Sequence, residues 1–115
     1  MRILIADDHD LLRDTLVVFL QGQPGLEPVA VRDLPEALAA MATGEGFDLV
    51  LLDYGMPGMN GLDGLRAALA APGGARIALM SGTASREIAE EALAMGAAGF
   101  LPKTLAAKTL ANAVR

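Results

Sequence analysis

Three acids, a hydroxyl and a lysine stand where a charged group could be handled: Asp7, Asp8, Asp53, Ser81 and Lys103. Asp53 is the most telling. The unbroken apolar run Leu49-Val50-Leu51-Leu52 leads straight into it, and Gly55 and Pro57 follow. Such a run fits a strand buried on both faces, and Gly and Pro just after it end the strand. Asp53 then lies at the carboxyl end of a central strand, where open α/β sheets carry their sites. A carboxylate there is costly to desolvate unless a cation or hydrogen-bond donors meet it. Three carboxylates together repel one another. A hard divalent cation such as Mg²⁺, which takes oxygen ligands and keeps several waters, removes that conflict. Acids beside one lysine and one hydroxyl can then hold a cation and an anion at once, the combination that phosphoryl transfer needs.

The elements that must position these residues can be read along the chain. Arg2 to Ala6 is a short apolar strand ending in Asp7-Asp8-His9. Asp10 is a candidate cap for the next helix, whose inward stripe is Leu12, Leu16, Phe19 and Leu20, with Gln23-Pro24-Gly25 as its stop. Glu27 to Val31 is strand two. Asp33 reads as an N-cap, with Pro35 and Glu36 in the first turn and Leu34, Ala37, Leu38 and Met41 inward, before Gly44-Glu45-Gly46. Asp48 to Asp53 is strand three, Tyr54 to Asn60 a loop, and Gly61 to Ala71 a helix with Leu62, Leu65 and Leu69 inward. After Pro72-Gly73-Gly74, Arg76 to Met80 is strand four, ending at Ser81-Gly82-Thr83. Ser85 caps a helix to Met95 with Ile88, Ala92 and Met95 as its apolar face, and Ala97 to Leu101 is strand five. Pro102-Lys103-Thr104 turns into a last helix reaching Arg115, with Leu110, Ala113 and Val114 inward. Strands alternating with helices in this way predict an α/β domain: a parallel sheet, doubly wound, with helices on both faces and right-handed crossovers. Asp7, Asp8, Asp53, Ser81 and Lys103 then gather on one edge of that sheet.

Composition agrees with one globular domain over residues 1–115, in which 53% of residues are hydrophobic and only 3% aromatic, so that Ala, Leu and Gly carry the packing. The absence of Cys rules out disulfides, thiolate nucleophiles and Cys-ligated metals. The net charge of −5 argues against direct nucleic-acid binding by this segment. The first apolar run is too short for a signal peptide and no run approaches membrane-spanning length, so a cytoplasmic location without membrane association is expected.

Four pieces together carry a family resemblance: Asp7-Asp8, Asp53-x-x-Met56-Pro57-x-x-x-Gly61, Ser81-Gly82, and Gly96-Ala97-x-Gly99-Phe100-Leu101-x-Lys103. The chain from Met1 to Arg115 resembles a response-regulator receiver domain of two-component signalling. Ile3 to Arg13 is most similar to receivers of the NarL/FixJ type. The resemblance implies a five-stranded flavodoxin-like (βα)5 fold with strand order 2-1-3-4-5. It implies that Asp53 accepts a phosphoryl group from a sensor histidine kinase or a phosphotransfer protein. It implies that Asp8, Asp53 and the Gly55 backbone carbonyl ligate Mg²⁺ and that Asp7 holds it through water. Ser81 and Lys103 would each pair with a phosphoryl oxygen. The expected domain is a signalling phosphoacceptor that resets by slow dephosphorylation rather than an enzyme acting on an outside substrate.

In the family, the Ser81 and Phe100 positions form the switch. The hydroxyl moves toward the phosphoryl group and the aromatic ring fills the space left, which repacks the helix four–strand five–helix five face and can support a homodimer. With Phe in place of Tyr, that switch rests on packing alone. NarL/FixJ receivers usually precede a DNA-binding domain, so transcription control through a C-terminal output domain is implied; a chain ending natively near Arg115 and one cut from a longer protein both fit the residues. Family members often have Lys-Pro after strand five; here Pro102 precedes Lys103 and Thr104 follows, and a cis Lys103–Thr104 bond would cost more than one before Pro. The small Gly55 and Thr83 leave the phosphoryl site open to water, which predicts no unusually long phosphoryl lifetime.

Each residue also has a plainer reading: Asp7-Asp8 as solvated acids before a helix, Ser81 as a turn residue, Lys103 as a surface lysine, Phe100 as core. His9, the lone histidine, reads as a helix-start residue rather than a metal ligand. Met41, Met80 and Met95 read as gap-filling core, and Glu87, Glu90 and Glu91 as a solvated face. Three other functions are weighed against the receiver. An Asp-nucleophile phosphohydrolase would need a second Asp where Gly55 stands. A flavodoxin-like cofactor binder would not present Asp-Asp-His to a phosphate. A pseudo-receiver that only binds a partner differs in being unphosphorylated.

Overall fold

The computed structural model describes residues 1–43, 46–82 and 86–102. Within them, strands and helices alternate: β1 (Arg2–Ala6), α1 (Asp10–Gln21), β2 (Glu27–Val31), α2 (Leu34–Met41), β3 (Leu49–Asp53), α3 (Asp63–Ala70), β4 (Arg76–Ser81), α4 (Arg86–Met95) and β5 (Gly99–Pro102). Every pairing is parallel, and the sheet runs β2-β1-β3-β4-β5. This is the order that the resemblance implied. The last helix to Arg115, Lys103, Thr83, the Ser85 cap and Gly44-Glu45 lie outside the described residues.

The sheet separates two cores because successive side chains of a strand point to opposite faces. On one face, Leu4, Ala6, Val50, Leu52, Ile77 and Leu79 pack with Leu34 and Ala37 of α2, Leu65 and Ala68 of α3, and Ala92 of α4. On the other, Ile3, Ile5, Leu51, Ala78 and Met80 pack with Leu16 and Leu20 of α1. β1 and β3 are therefore covered on both sides, which is why their sequences read as continuous apolar runs. Met41 and Met80 are core and Met95 is half-buried against the first cluster.

Several local expectations need correction. Asp10 is not the cap of α1; His9 occupies that position, and Asp10 is the first helical residue. Phe19 does not point inward but is 37% exposed, because Arg13, Leu16 and Leu20 form the buried line of α1 and leave Phe19 on its flank. α3 begins at Asp63 rather than Gly61, since Asn60 and Gly61 both have positive φ (48° and 67°), a conformation that cannot continue a right-handed helix. Gly99 to Pro102, rather than Ala97 to Leu101, pairs with β4. Asp33 caps α2 as the sequence indicates, its carboxylate accepting from the Glu36 N–H at 2.8 Å while the Glu36 carboxylate accepts from the Arg32 N–H at 2.8 Å.

Candidate functional site

The carboxyl ends of β1 and β3 are neighbours in the sheet, with Ala6 opposite Leu52. The residues that follow these positions are Asp7 and Asp53, so backbone register alone brings two carboxylates together. Both are buried, Asp7 at 0% and Asp53 at 1% exposure. Asp8 lies at the exposed rim. One carboxylate oxygen from each of Asp7, Asp8 and Asp53, with a ring nitrogen of His9, lie within 4.8 Å of one another. Three oxygens this close suit a hard cation better than they suit each other. The donor set therefore fits Mg²⁺.

The surrounding backbone fixes the acids. The Gly55 N–H donates to Asp53 Oδ1 at 3.1 Å. The loop carrying Gly55 is held from both sides: Tyr54 N–H bonds the Met80 carbonyl at 2.8 Å, and Met56 and Met59 are buried in the core. Pro57 offers its carbonyl to the Leu34 N–H at 3.1 Å, which ties the loop to α2. A side chain at position 55 would place its Cβ 3.9 Å from Asp53 Oδ1, in ordinary van der Waals contact with the carboxylate. Ser81 is buried at the end of β4, one residue beyond Met80, which pairs with Asp53. It pairs with Pro102 of β5, so Lys103 is the next residue in the sequence of that strand but lies outside the described residues. Phe100 is half-buried and packs against the first core cluster.

Two residues matter here that sequence reading did not assign. His9 is the helix start that was expected, yet its ring Nδ1 stands 3.0 Å from Asp7 Oδ1, 3.3 Å from Asp8 Oδ1 and 3.6 Å from Asp53 Oδ2. Its backbone N–H also donates to Asp7 Oδ1 at 2.8 Å. Arg13, only 9% exposed, donates from Nη1 to the Asp7 carbonyl at 2.9 Å and from Nη2 to Asp10 Oδ1 at 2.7 Å. The signal for Arg13 was a charged residue one turn after Asp10 on an otherwise apolar face. That hydrogen bond, with the charges of Arg13 and then Arg32, holds the Asp10 carboxyl below its ordinary range. A group lowered on folding stabilises above its unfolded pKa, and that contribution is lost as pH falls through the folded value. Replacing Arg13 with Met is expected to return Asp10 upward, read by NMR titration. It should also cost about 1–3 kcal/mol in denaturant unfolding, since it removes the charge-assisted hydrogen bond from Arg13 to the buried Asp7 carbonyl.

The sequence profile of the response regulator receiver domain matches residues 3–115. The chain belongs to this receiver family. Among proteins it resembles, the glycerol metabolism activator of Pseudomonas putida is 34% identical over 98% of this chain and 52% of that protein. A protein-glutamate methylesterase/protein-glutamine glutaminase of Paramagnetospirillum magneticum is 32% identical over 99% of this chain and 30% of its own length. The receiver domain of the Mycobacterium tuberculosis response regulator NarL superposes with a TM-score of 0.81 at 32% identity, covering 97% of this chain and 94% of that one. This receiver thus spans about half or less of these two curated relatives. Receivers are signalling modules, and the methylesterase shows that a related chain can also carry an enzyme. Among the described residues, no helix is long and apolar enough to cross a membrane.

Proposed function

We propose that this receiver is the phosphoacceptor of a cytoplasmic two-component response regulator, with Asp53 as the accepting residue. The observation that carries the reading is the placement of Asp53, buried at the end of the central β3 strand, with oxygens of Asp7 and Asp8 close beside it. A carboxylate oxygen of Asp53 attacks phosphorus, an O–P bond forms, and the N–P bond to the donor histidine breaks, its electron pair staying on the imidazole. The donor is a sensor histidine kinase or phosphotransfer protein. Asp8, Asp53 and the Gly55 carbonyl would hold Mg²⁺, with Asp7 through water, and the ion would supply positive charge that offsets that of the transferring oxygens. The Gly55 N–H donates to Asp53 Oδ1 and so orients the carboxylate, whose Oδ2 stands toward His9 and the acids. Ser81 and Lys103 bind phosphoryl oxygens of the product.

The product carries nearly two added negative charges. Ser81 is drawn toward them, and Phe100 repacks into the space released, changing the surface made by α4, β5 and the residues beyond. The output is transcription control by a domain following Arg115, with a homodimer of the phosphorylated form as one route. The Pseudomonas putida activator, of which this chain spans about half, has length for a further domain, and this supports the reading.

Intact mass after incubation with a small phosphodonor and Mg²⁺ tests the assignment. One metal-dependent phosphoryl adduct is expected, absent from Asp53→Asn. An adduct that persists in that variant, or none in the folded native chain, would overturn it. The exposed Gly55 predicts that the adduct decays within hours under Mg²⁺. A half-life of many hours would contradict this.

A further inference from the structure

His9 is the chain's one histidine, and there is no cysteine. Its Nδ1 lies among three carboxylate oxygens at 3.0, 3.3 and 3.6 Å. Adjacent ligands on an octahedron with bonds of ~2.1 Å are about 3.0 Å apart. The nitrogen therefore already stands near ligand-to-ligand spacing from Asp8, at 3.3 Å, and beside Asp7, which holds the ion through water. We infer that His9 is a third side-chain ligand beside Asp8 and Asp53, which makes the site prefer a borderline transition ion such as Co²⁺ beyond what its oxygens alone would give. The inference rests on the reading of the acidic cluster as a cation site.

The chemistry follows from the ring. A carboxylate-only site suits Mg²⁺, whereas imidazole suits Co²⁺, Ni²⁺ and Zn²⁺ far better than Mg²⁺. In the structure Nδ1 is at hydrogen-bond distance from Asp7 Oδ1. As a ligand it carries no proton, so the ring hydrogen sits on Nε2. The side chain is 65% exposed, and water can receive that N–H. Position also favours the role. The backbone N–H of His9 is bonded to Asp7 Oδ1, so residue and cluster are fixed to each other before an ion arrives. Mg²⁺ gains little from the nitrogen and Co²⁺ gains a bond.

Calorimetric titration of the native chain and of His9→Gln with Mg²⁺ and with Co²⁺ tests this. Loss even of an outer partner of a ligand costs about 10–100-fold in metal affinity, so loss of a ligand should weaken Co²⁺ at least about tenfold. The change for Mg²⁺ should be much smaller. Proton NMR of the Co²⁺-loaded native chain gives a readout that needs no variant. With the chain's one histidine isotope-labelled, strongly shifted ring C–H resonances can come only from His9. Equal losses for both ions, no loss for either, or no shifted ring resonance would overturn the inference and leave His9 as a hydrogen-bond donor to Asp7. A native chain that binds neither ion would overturn the cation site itself, and this inference with it.

Discussion

In metal-free buffer, Asp53→Asn should melt at a higher temperature than the native chain, and it should lose the response to Mg²⁺. The reason is electrostatic. Asp7, Asp8 and Asp53 contribute oxygens within 4.8 Å of one another, and two of these acids are buried. At an effective dielectric constant of ~20, two like charges at that separation repel by on the order of 3 kcal/mol. The Gly55 N–H and the His9 ring offset part of this, so a gain of a few degrees is the expected net effect of removing one charge. The native chain gains its stability from the ion instead. A Mg²⁺ concentration about tenfold above the dissociation constant adds ~1.4 kcal/mol, because only the folded chain assembles the site. At roughly 4 °C per kcal/mol for a domain of this size, the midpoint should rise by about 6 °C. Scanning calorimetry of both chains, with and without Mg²⁺, gives all four values. A variant that melts lower without metal would mean that Asp53 is held by donors strong enough to outweigh its acidic neighbours.

The same geometry explains how much could be read beforehand. Asp7 and Asp53 were legible because each follows an apolar run, and parallel register must bring neighbouring strand ends together. The helix stops were legible because Gly and Pro punctuate them. Phe19 was misread since helical spacing alone cannot tell the two sides of a broad stripe apart. Arg13 took the inward position, and its burial depends on the Asp7 carbonyl, a backbone atom that no side-chain pattern reveals. His9 was placed correctly at the helix start, yet its ring position follows from the path of the β1–α1 turn. Asn60 and Gly61 marked a loop end, but only their positive φ values show why α3 starts two residues later.

Gly64→Ala should destabilise the chain and weaken its site, although Ala is the better helix former. Gly64 is buried in the first turn of α3. A Cβ there would stand 2.8 Å from the Met59 Cα and would overlap the Met59 Sδ. The thioether could swing aside, but the Cα is backbone and cannot. The two segments are also joined, since the Gly64 N–H donates to the Met59 carbonyl at 2.7 Å. Relief therefore requires α3 to move away from the β3–α3 loop or the loop to move away from α3. Overpacking of this kind costs about 1–3 kcal/mol, against a gain of at most ~1 kcal/mol in helix propensity. The effect should reach the site, because Met59 lies in the same loop as Gly55, the loop that follows Asp53. Urea unfolding should show a net loss of ~1–2 kcal/mol, and Mg²⁺ should bind more weakly as the Gly55 carbonyl shifts. Ala67, exposed on the same helix, supplies the control: Ala67→Gly should lose only about 1 kcal/mol through propensity and leave Mg²⁺ affinity unchanged. Equal effects of the two substitutions on metal affinity would show that α3 transmits nothing to the site, and that the close approach at Gly64 serves packing alone.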